Sequence, residues 1–289
     1  MNQPTHTSGR GCAGLLAAGL LGLIVARAAL AQEAMYTQAA TMPSPLTAII
    51  RPQYHLWSYG SSPTAGTERT IKYEASHSVA VGIVRDWAVF IDMPMAASRE
   101  KDAGTGAWSS DKALEGVEAM VKWRFYQHDR GGVDTERIAL MGGFNADNAR
   151  DDDWNGVTVS PKVGVVYTLV RGRHGFNQDL FYQLSTGGDE MDNFGGDGPA
   201  DALWFNSAYV YRIIPDRFSS DSIGAWYVTA EVNGLYETNG DVELRWAPGL
   251  MYEGRRFSFE VMAQLPLWQD VDHRAELDYG LGIGVRVSF

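Results

Sequence analysis

The chain has 289 residues, 45% of them apolar, with 32 glycines and 24 Lys and Arg against 35 Asp and Glu, a net charge of −11. That length suits one large or two ordinary domains, and the acidic balance argues against a nucleic-acid partner. Only one stretch approaches the roughly 20 apolar residues of a membrane helix, so a bundle of such helices is excluded.

That stretch comes first. A polar leader with Arg10 precedes the apolar run CAGLLAAGLLGLIV, and Ala29-Leu30-Ala31 follows as a small-residue cleavage site. The pattern predicts a signal peptide over residues 1–31, cleaved after Ala31, and hence export. Removing it takes away Arg10, Arg27 and Cys12, the only cysteine, leaving 22 basic against 35 acidic residues, a net −13. An exported chain without cysteine is not built on a disulfide framework. Residues 32–45 then form a short periplasmic or lumenal segment, and 46–289 the main domain.

Beyond the leader no segment has a helical period. Twelve strand-like runs follow, at roughly 46–59, 68–84, 87–97, 114–128, 133–146, 157–171, 176–186, 202–215, 222–235, 241–252, 256–269 and 275–289. Most reach the roughly 9–11 residues with which a tilted strand crosses a bilayer. Connections around 85–86, 129–132, 172–175, 215–221 and 253–255 are short; those at 60–67, 98–113, 147–156 and 187–201 are longer and mostly polar. Short turns at one end and long loops at the other are the habit of outer-membrane barrels, which carry an even number of strands.

The strands alternate. Val157, Val159, Val163, Val165, Tyr167 and Leu169 share one parity, and Thr158, Ser160, Lys162, Gly164 and Thr168 the other. The chain ends LDYGLGIGVRVSF, with Leu277, Tyr279, Leu281, Ile283, Val285, Val287 and Phe289 opposite a face of glycines and polar residues. Successive strand side chains point to opposite faces, so each strand can be apolar toward lipid and polar toward a lumen. The fold class is therefore all-β: a transmembrane antiparallel outer-membrane β-barrel of twelve strands, the last pairing with the first. One aromatic belt is dense, with Trp87, Trp123, Phe125, Tyr209, Trp226 and Phe257 among its members; the other is thin, with Phe144 and Tyr182 the clearest.

Inward parity places Arg51, Lys72, Lys122, Arg124, Lys162, Arg212, Arg245 and Arg286 in the lumen against Glu74, Asp92, Glu118, Asp179, Glu231, Glu243, Glu260 and Asp278, with His55 the one histidine there. Eight cations face eight anions, which predicts a charge-balanced interior. Twelve strands lie between a barrel filled by its side chains and a wide channel, so the passage should be narrow, with 32–45 able to fold partly inside. By parity Lys122 should tune ion selectivity and lipid-facing Val121 should not.

The acidic loops Asp147–Asp153 and Gly187–Asp192 carry oxygen ligands for Ca²⁺ without completing a calcium-loop spacing. The histidines at 77, 128, 174 and 273 show no metal-site spacing, and no nucleophile motif is visible. Neither metal, cofactor nor catalytic residue is expected, and the chain is read as no enzyme.

The hairpin SHSVAVGIVRDWAVFIDMPMAA, the segments LEGVEAMVKWRFY and ERIALMGGFNAD, the stretch LRWAPGLMYEGRRFSFEVMAQLPLWQD and the ending YGLGIGVRVSF together resemble the outer-membrane proteins grouped as the MetA-pathway of phenol degradation family. The resemblance implies a monomeric barrel passing small, hydrophobic or aromatic compounds, distantly similar to long-chain fatty-acid transporters. It supplies no catalytic residues, and the short 32–45 segment departs from the full hatch of those transporters. The expected function is thus an outer-membrane channel, with a non-conducting structural or partner-binding barrel, or a membrane-embedded lipid hydrolase, as alternatives. Expected partners are outer-membrane lipid and lipopolysaccharide, a small solute, and the barrel-assembly machinery through Phe289.

Overall fold

The computed structural model describes residues 32–148, 157–186, 200–219 and 221–289. The leader with Cys12, most of the acidic loop Asp147–Asp153 and the loop Gly187–Asp192 lie outside the described residues. Thirteen strands follow one another: β1 (Ala48–Tyr59), β2 (Thr67–Val84), β3 (Trp87–Asp102), β4 (Trp108–Leu114), β5 (Val117–Arg130), β6 (Asp134–Asn148), β7 (Val157–Arg171), β8 (His174–Gln183), β9 (Ala202–Ile214), β10 (Gly224–Glu237), β11 (Val242–Gly254), β12 (Phe257–Asp270) and β13 (Leu277–Ser288). Each pairs antiparallel with its sequence neighbours, except that β4 and β5 both pair with β3 and not with each other, and β13 pairs with β1, so the sheet closes.

β4 and β5 share one place in the wall, which makes the barrel twelve-stranded. β3 pairs with β5 from Trp87↔Trp123 to Asp92↔Glu118, then with β4 from Met95↔Leu114 to Lys101↔Trp108. The break falls at Glu115–Gly116, where Gly116 takes a φ of 136°. Pro94 lies opposite it. Its carbonyl accepts from the Glu115 N–H at 3.1 Å, so the side of β3 on which proline lacks a donor faces the interrupted strand.

The polarity is inverted relative to a soluble sandwich. Val163, Leu267 and Leu281 on the outside are 58, 55 and 50% exposed, while Lys122, Asp179 and Glu231 inside are 1, 1 and 0% exposed. Closure pairs the wall strands with one another all the way round, as hydrocarbon demands. Around the end that holds both strand termini and the short turns, aromatic rings touch in sequence: Trp87 on Trp123, Trp123 on Phe125, Trp226 on Tyr252 and Tyr252 on Phe257. The second belt is fuller than the sequence reading had it. Tyr73, Phe205, Tyr236, Trp246 and Trp268 join Phe144 and Tyr182 on the outer surface toward the far end.

Three expectations change. The segment 98–113 is not a loop but the upper part of a hairpin, in which Thr67↔Asp102 is the last pair to β2 and Asp102 caps the 103–107 turn by accepting from the N–H groups of Gly104 and Thr105. Both faces of β4 are exposed as far as Lys112, so no apolar alternation marked it. Leu277 does not face lipid: a register shift at Ser58/Tyr59 turns it inward against Trp57, Tyr59 and Ala275. Asp278 leaves the lumen set, its carboxylate sitting at the rim with Ser58 Oγ at 3.0 Å and Arg69 at 3.7 Å.

Candidate functional site

The lumen is built around Gln32–Pro45. The chain enters under β2, where Pro45 bridges to Gly82, and a Cβ on Gly82 would stand 2.3 Å from the Ser44 carbonyl, so only glycine admits the crossing. Residues 41 back to 32 then cross the interior with no regular structure of their own, and the wall supplies their hydrogen bonds. Thr168 Oγ1 accepts from the Ala40 N–H at 2.8 Å, Lys122 Nζ donates to the Ala39 carbonyl at 2.8 Å, and Asp179 accepts from the Gln38 N–H at 2.7 Å.

Glu231 makes the tightest grip. Its carboxylate accepts from the N–H groups of Met35 (3.0 Å), Tyr36 (3.1 Å) and Thr37 (2.7 Å) and from the Thr37 hydroxyl (2.6 Å). Arg51 donates to the carbonyls of Ala34 and Met35 while paired with Glu260 at 2.8 Å. Arg286 lies 3.4 Å from Glu33, and Asn177 holds the Gln32 carbonyl. The Tyr36 hydroxyl meets His55 Nδ1 at 3.2 Å, and His55 stacks on Trp57 with ring centroids 4.9 Å apart. Charge-assisted bonds of this kind contribute about 1.5–3 kcal/mol each when buried, so the segment is fixed rather than loosely packed.

β13 makes room for it. The inward positions Gly280, Gly282 and Gly284 would each drive a Cβ into a neighbour: Trp57 at 2.6 Å, Met35 Sδ at 2.7 Å and Glu260 at 2.8 Å respectively. The small face of the final strand is the space that Trp57, the segment and Glu260 occupy.

The remaining inward charges fall into separate groups. Lys162 pairs with Glu118 at 2.5 Å. Toward the far end Lys72 pairs with Glu74 at 3.7 Å and also with Glu115. Arg245 and Glu243 pair at 2.6 Å, and Arg274 from the 271–276 connection adds 2.8 and 2.9 Å contacts to Glu243 and Glu237. Arg124 and Arg212 turn toward the short-turn end: Arg124 pairs with Asp86 in the β2–β3 turn, and Arg212 packs its guanidinium 4.3 Å from the Phe218 ring centroid. Asp92 accepts from Ser76 Oγ at 2.6 Å. Lys122 lines the cavity but is 1% exposed and committed to Ala39, so it anchors the segment instead of standing free in a path.

A cavity of about 1660 Å³ lies beside the segment, reaching from Phe218 and the 131–134 turn at the short-turn end to Asp92 and Glu118 at mid-height. Among the inward residues of β3 to β9 is an apolar cluster: Met120, Met141, Val166 and Phe181 gather with Ala40, and Phe90 and Trp204 pack against them, Phe90 and Met141 also lining the cavity. Two ammonium groups stand over its rings. Lys122 Nζ is 4.3 Å from the Phe90 centroid, and Lys162 Nζ is 4.6 Å from Trp204 and 5.4 Å from Phe181.

The sequence set of lumen residues held charged residues and His55, and Thr168 was on the inward parity of its strand; Asn177, Gln264 and Asn233 share that parity and could have been found by it, whereas Arg274 and Glu33, lying outside strands, could not. Three histidines have polar partners: His55 and His174 bond the hydroxyls of Tyr36 and Tyr209, and His273 the carboxylate of Asp241.

This closed twelve-stranded wall with lipid-facing rings and charged interior defines a transmembrane β-barrel. No family model and no curated protein sequence matches the chain. Among solved structures it is similar to an outer membrane channel from Pseudomonas putida F1, with a TM-score of 0.58 and 9% identity over 89% of this chain and 100% of that one. It is also similar to the β domain of the Bordetella autotransporter BrkA, with a TM-score of 0.50 and 11% identity over 84% of this chain and 99% of that one. Likeness at these identities is likeness of fold.

Proposed function

We propose that this protein is a channel of the bacterial outer membrane, exported by its leader, that passes small hydrophobic or aromatic compounds through a lumen narrowed by Gln32–Pro45. The observation that carries the reading is the cavity of about 1660 Å³ beside the segment, lined by Phe90, Met141, Phe218 and Tyr227 among polar and charged residues and reaching the short-turn end. Acidic and basic residues alternate along it, among them Asp92, Glu118, Arg51 and Arg286, which suits an uncharged or singly charged solute better than a strong ion filter. The likeness to a channel barrel and the MetA-pathway resemblance of the sequence both favour passage of small molecules.

One observation favours a second reading, a non-conducting barrel: Ala34, Met35, Thr37, Ala39 and Ala40 of the segment are all buried in the lumen. Single-channel recording in planar bilayers decides between them, comparing the chain with a form lacking residues 32–45. Small discrete steps that enlarge on deletion support the narrowed channel. Silence from both inserted proteins overturns it in favour of the closed barrel.

A further inference from the structure

The β3–β4 hairpin rises above the far end of the barrel, and its outer face carries a cluster of cations that the lumen does not use. Residues directly opposite in register share a face of the sheet. On the lipid-facing side of this hairpin the pairs climb from Ala97↔Lys112 through Arg99↔Ser110 to Lys101↔Trp108. Tyr73 of β2 pairs with Ala97 and is exposed on the same side, so Lys112 stands level with the far aromatic belt, and Arg99 and Lys101 stand one and two steps above it. That is the height of lipid headgroups, since aromatic girdles mark the interface.

The other far-end cations among the described residues are engaged elsewhere. Arg69 bonds Ser58 and lies against Asp278 at the rim, while Arg245 and Arg274 turn inward to Glu243 and Glu237. Lys101 is paired with Glu68 at 2.6 Å. Arg99 and Lys112 remain, diagonal neighbours about 7–8 Å apart at the backbone, and the Arg99 guanidinium lies 5.3 Å from the Trp108 ring centroid. Two cations at that spacing, level with and just above the aromatic belt, on an otherwise acidic chain, complement a lipid bearing more than one phosphate on its headgroup.

We propose that the outer face of the β3–β4 hairpin is a docking site for the phosphorylated headgroup of lipopolysaccharide, with Arg99 and Lys112 holding lipid A phosphate and Trp108 and Lys101 above them at the outer edge of the site. The proposal rests on the outer-membrane reading, because the connections at this end face the outer leaflet only if both strand termini are periplasmic. The site takes its ligand from the membrane plane and leaves the lumen untouched.

The test is native mass spectrometry of the folded chain in detergent, titrated with purified lipid A or with phosphatidylglycerol. Three proteins are compared: the wild type, R99A/K112A, and R85A/R130A as a control with two cations removed at the opposite end. The expected result is lipid A binding about 30-fold weaker in R99A/K112A, at roughly a factor of five per cation, and unchanged in R85A/R130A. Equal binding by wild type and R99A/K112A overturns the proposal, as does phosphatidylglycerol binding as tight as lipid A. Insertion into vesicles, scored in the same preparations by heat-modifiable migration, keeps the two readings apart. A barrel that does not insert overturns the outer-membrane reading, whereas one that inserts and binds lipid A indifferently overturns this site alone.

Discussion

The two sides of the lumen hold the N-terminal segment differently. From β8 round to β1 the wall grips it with Asp179, Glu231, Arg51 and Arg286, directed at backbone N–H, carbonyl and carboxylate groups, and clears space with glycines. From β3 to β7 the wall meets it through Lys122, Thr168 and the apolar cluster around Met120 and Met141. The first side fixes a position, because directed charge-assisted bonds lose their strength when geometry changes. The second tolerates rearrangement, because apolar contact is not directional. On the proposed channel reading, a solute would pass the segment along this second side, beside Phe90 and Met141.

That contrast can be broken at graded points. Deleting residues 32–45 removes the element both sides hold and should give the largest rise in single-channel conductance. Glu231→Gln should come next, since it weakens a hub of four hydrogen bonds; a loss of about 3 kcal/mol in segment docking would shift its bound fraction by roughly a hundredfold. A cysteine placed at Ala34, which is 1% exposed, should then label with a water-soluble maleimide far faster than in the parent. Gly282→Leu tests the same side sterically, with an overpacking cost of about 1–3 kcal/mol that should show as higher conductance without loss of the folded barrel. On the second side Phe90→Ala, in the cavity lining, should weaken block by an aromatic acid by roughly 3- to 10-fold while leaving maleimide labelling slow. Smallest is Val121→Ala on the lipid face: conductance should be unchanged and thermal stability within about 1 kcal/mol of the parent.

The lipid-facing alternation of β7, β12 and β13 made the barrel legible, because a strand with lipid on one side and charge on the other has a period of two in its sequence. It failed where that asymmetry ends. β4 has water on both faces and no period, so its residues read as a loop. Leu277 obeys the period on paper, but the shift beside Tyr59 reverses its side, and nothing in its neighbours announces a bulge. Lys122 was placed inside correctly by parity, yet its partner, the Ala39 carbonyl, belongs to an irregular segment whose path no periodicity describes. Glycines 280, 282 and 284 were visible as a small face. What they leave room for was not, because the occupants, Trp57, Met35 and Glu260, come from three other parts of the chain.

Glu231 and Met35 lie 196 residues apart, and Arg286 and Glu33 lie 253 apart. Contacts of such separation form late, since long loops must close before they are rewarded. The segment is thus synthesised before any strand, but its binding surface does not exist until β10 and β13 are in place beside β1. Its capture is a signature of completed assembly: a barrel with its seam still open has nowhere to put it, so protection of residues 32–45 from protease would time the moment at which the last strand meets the first.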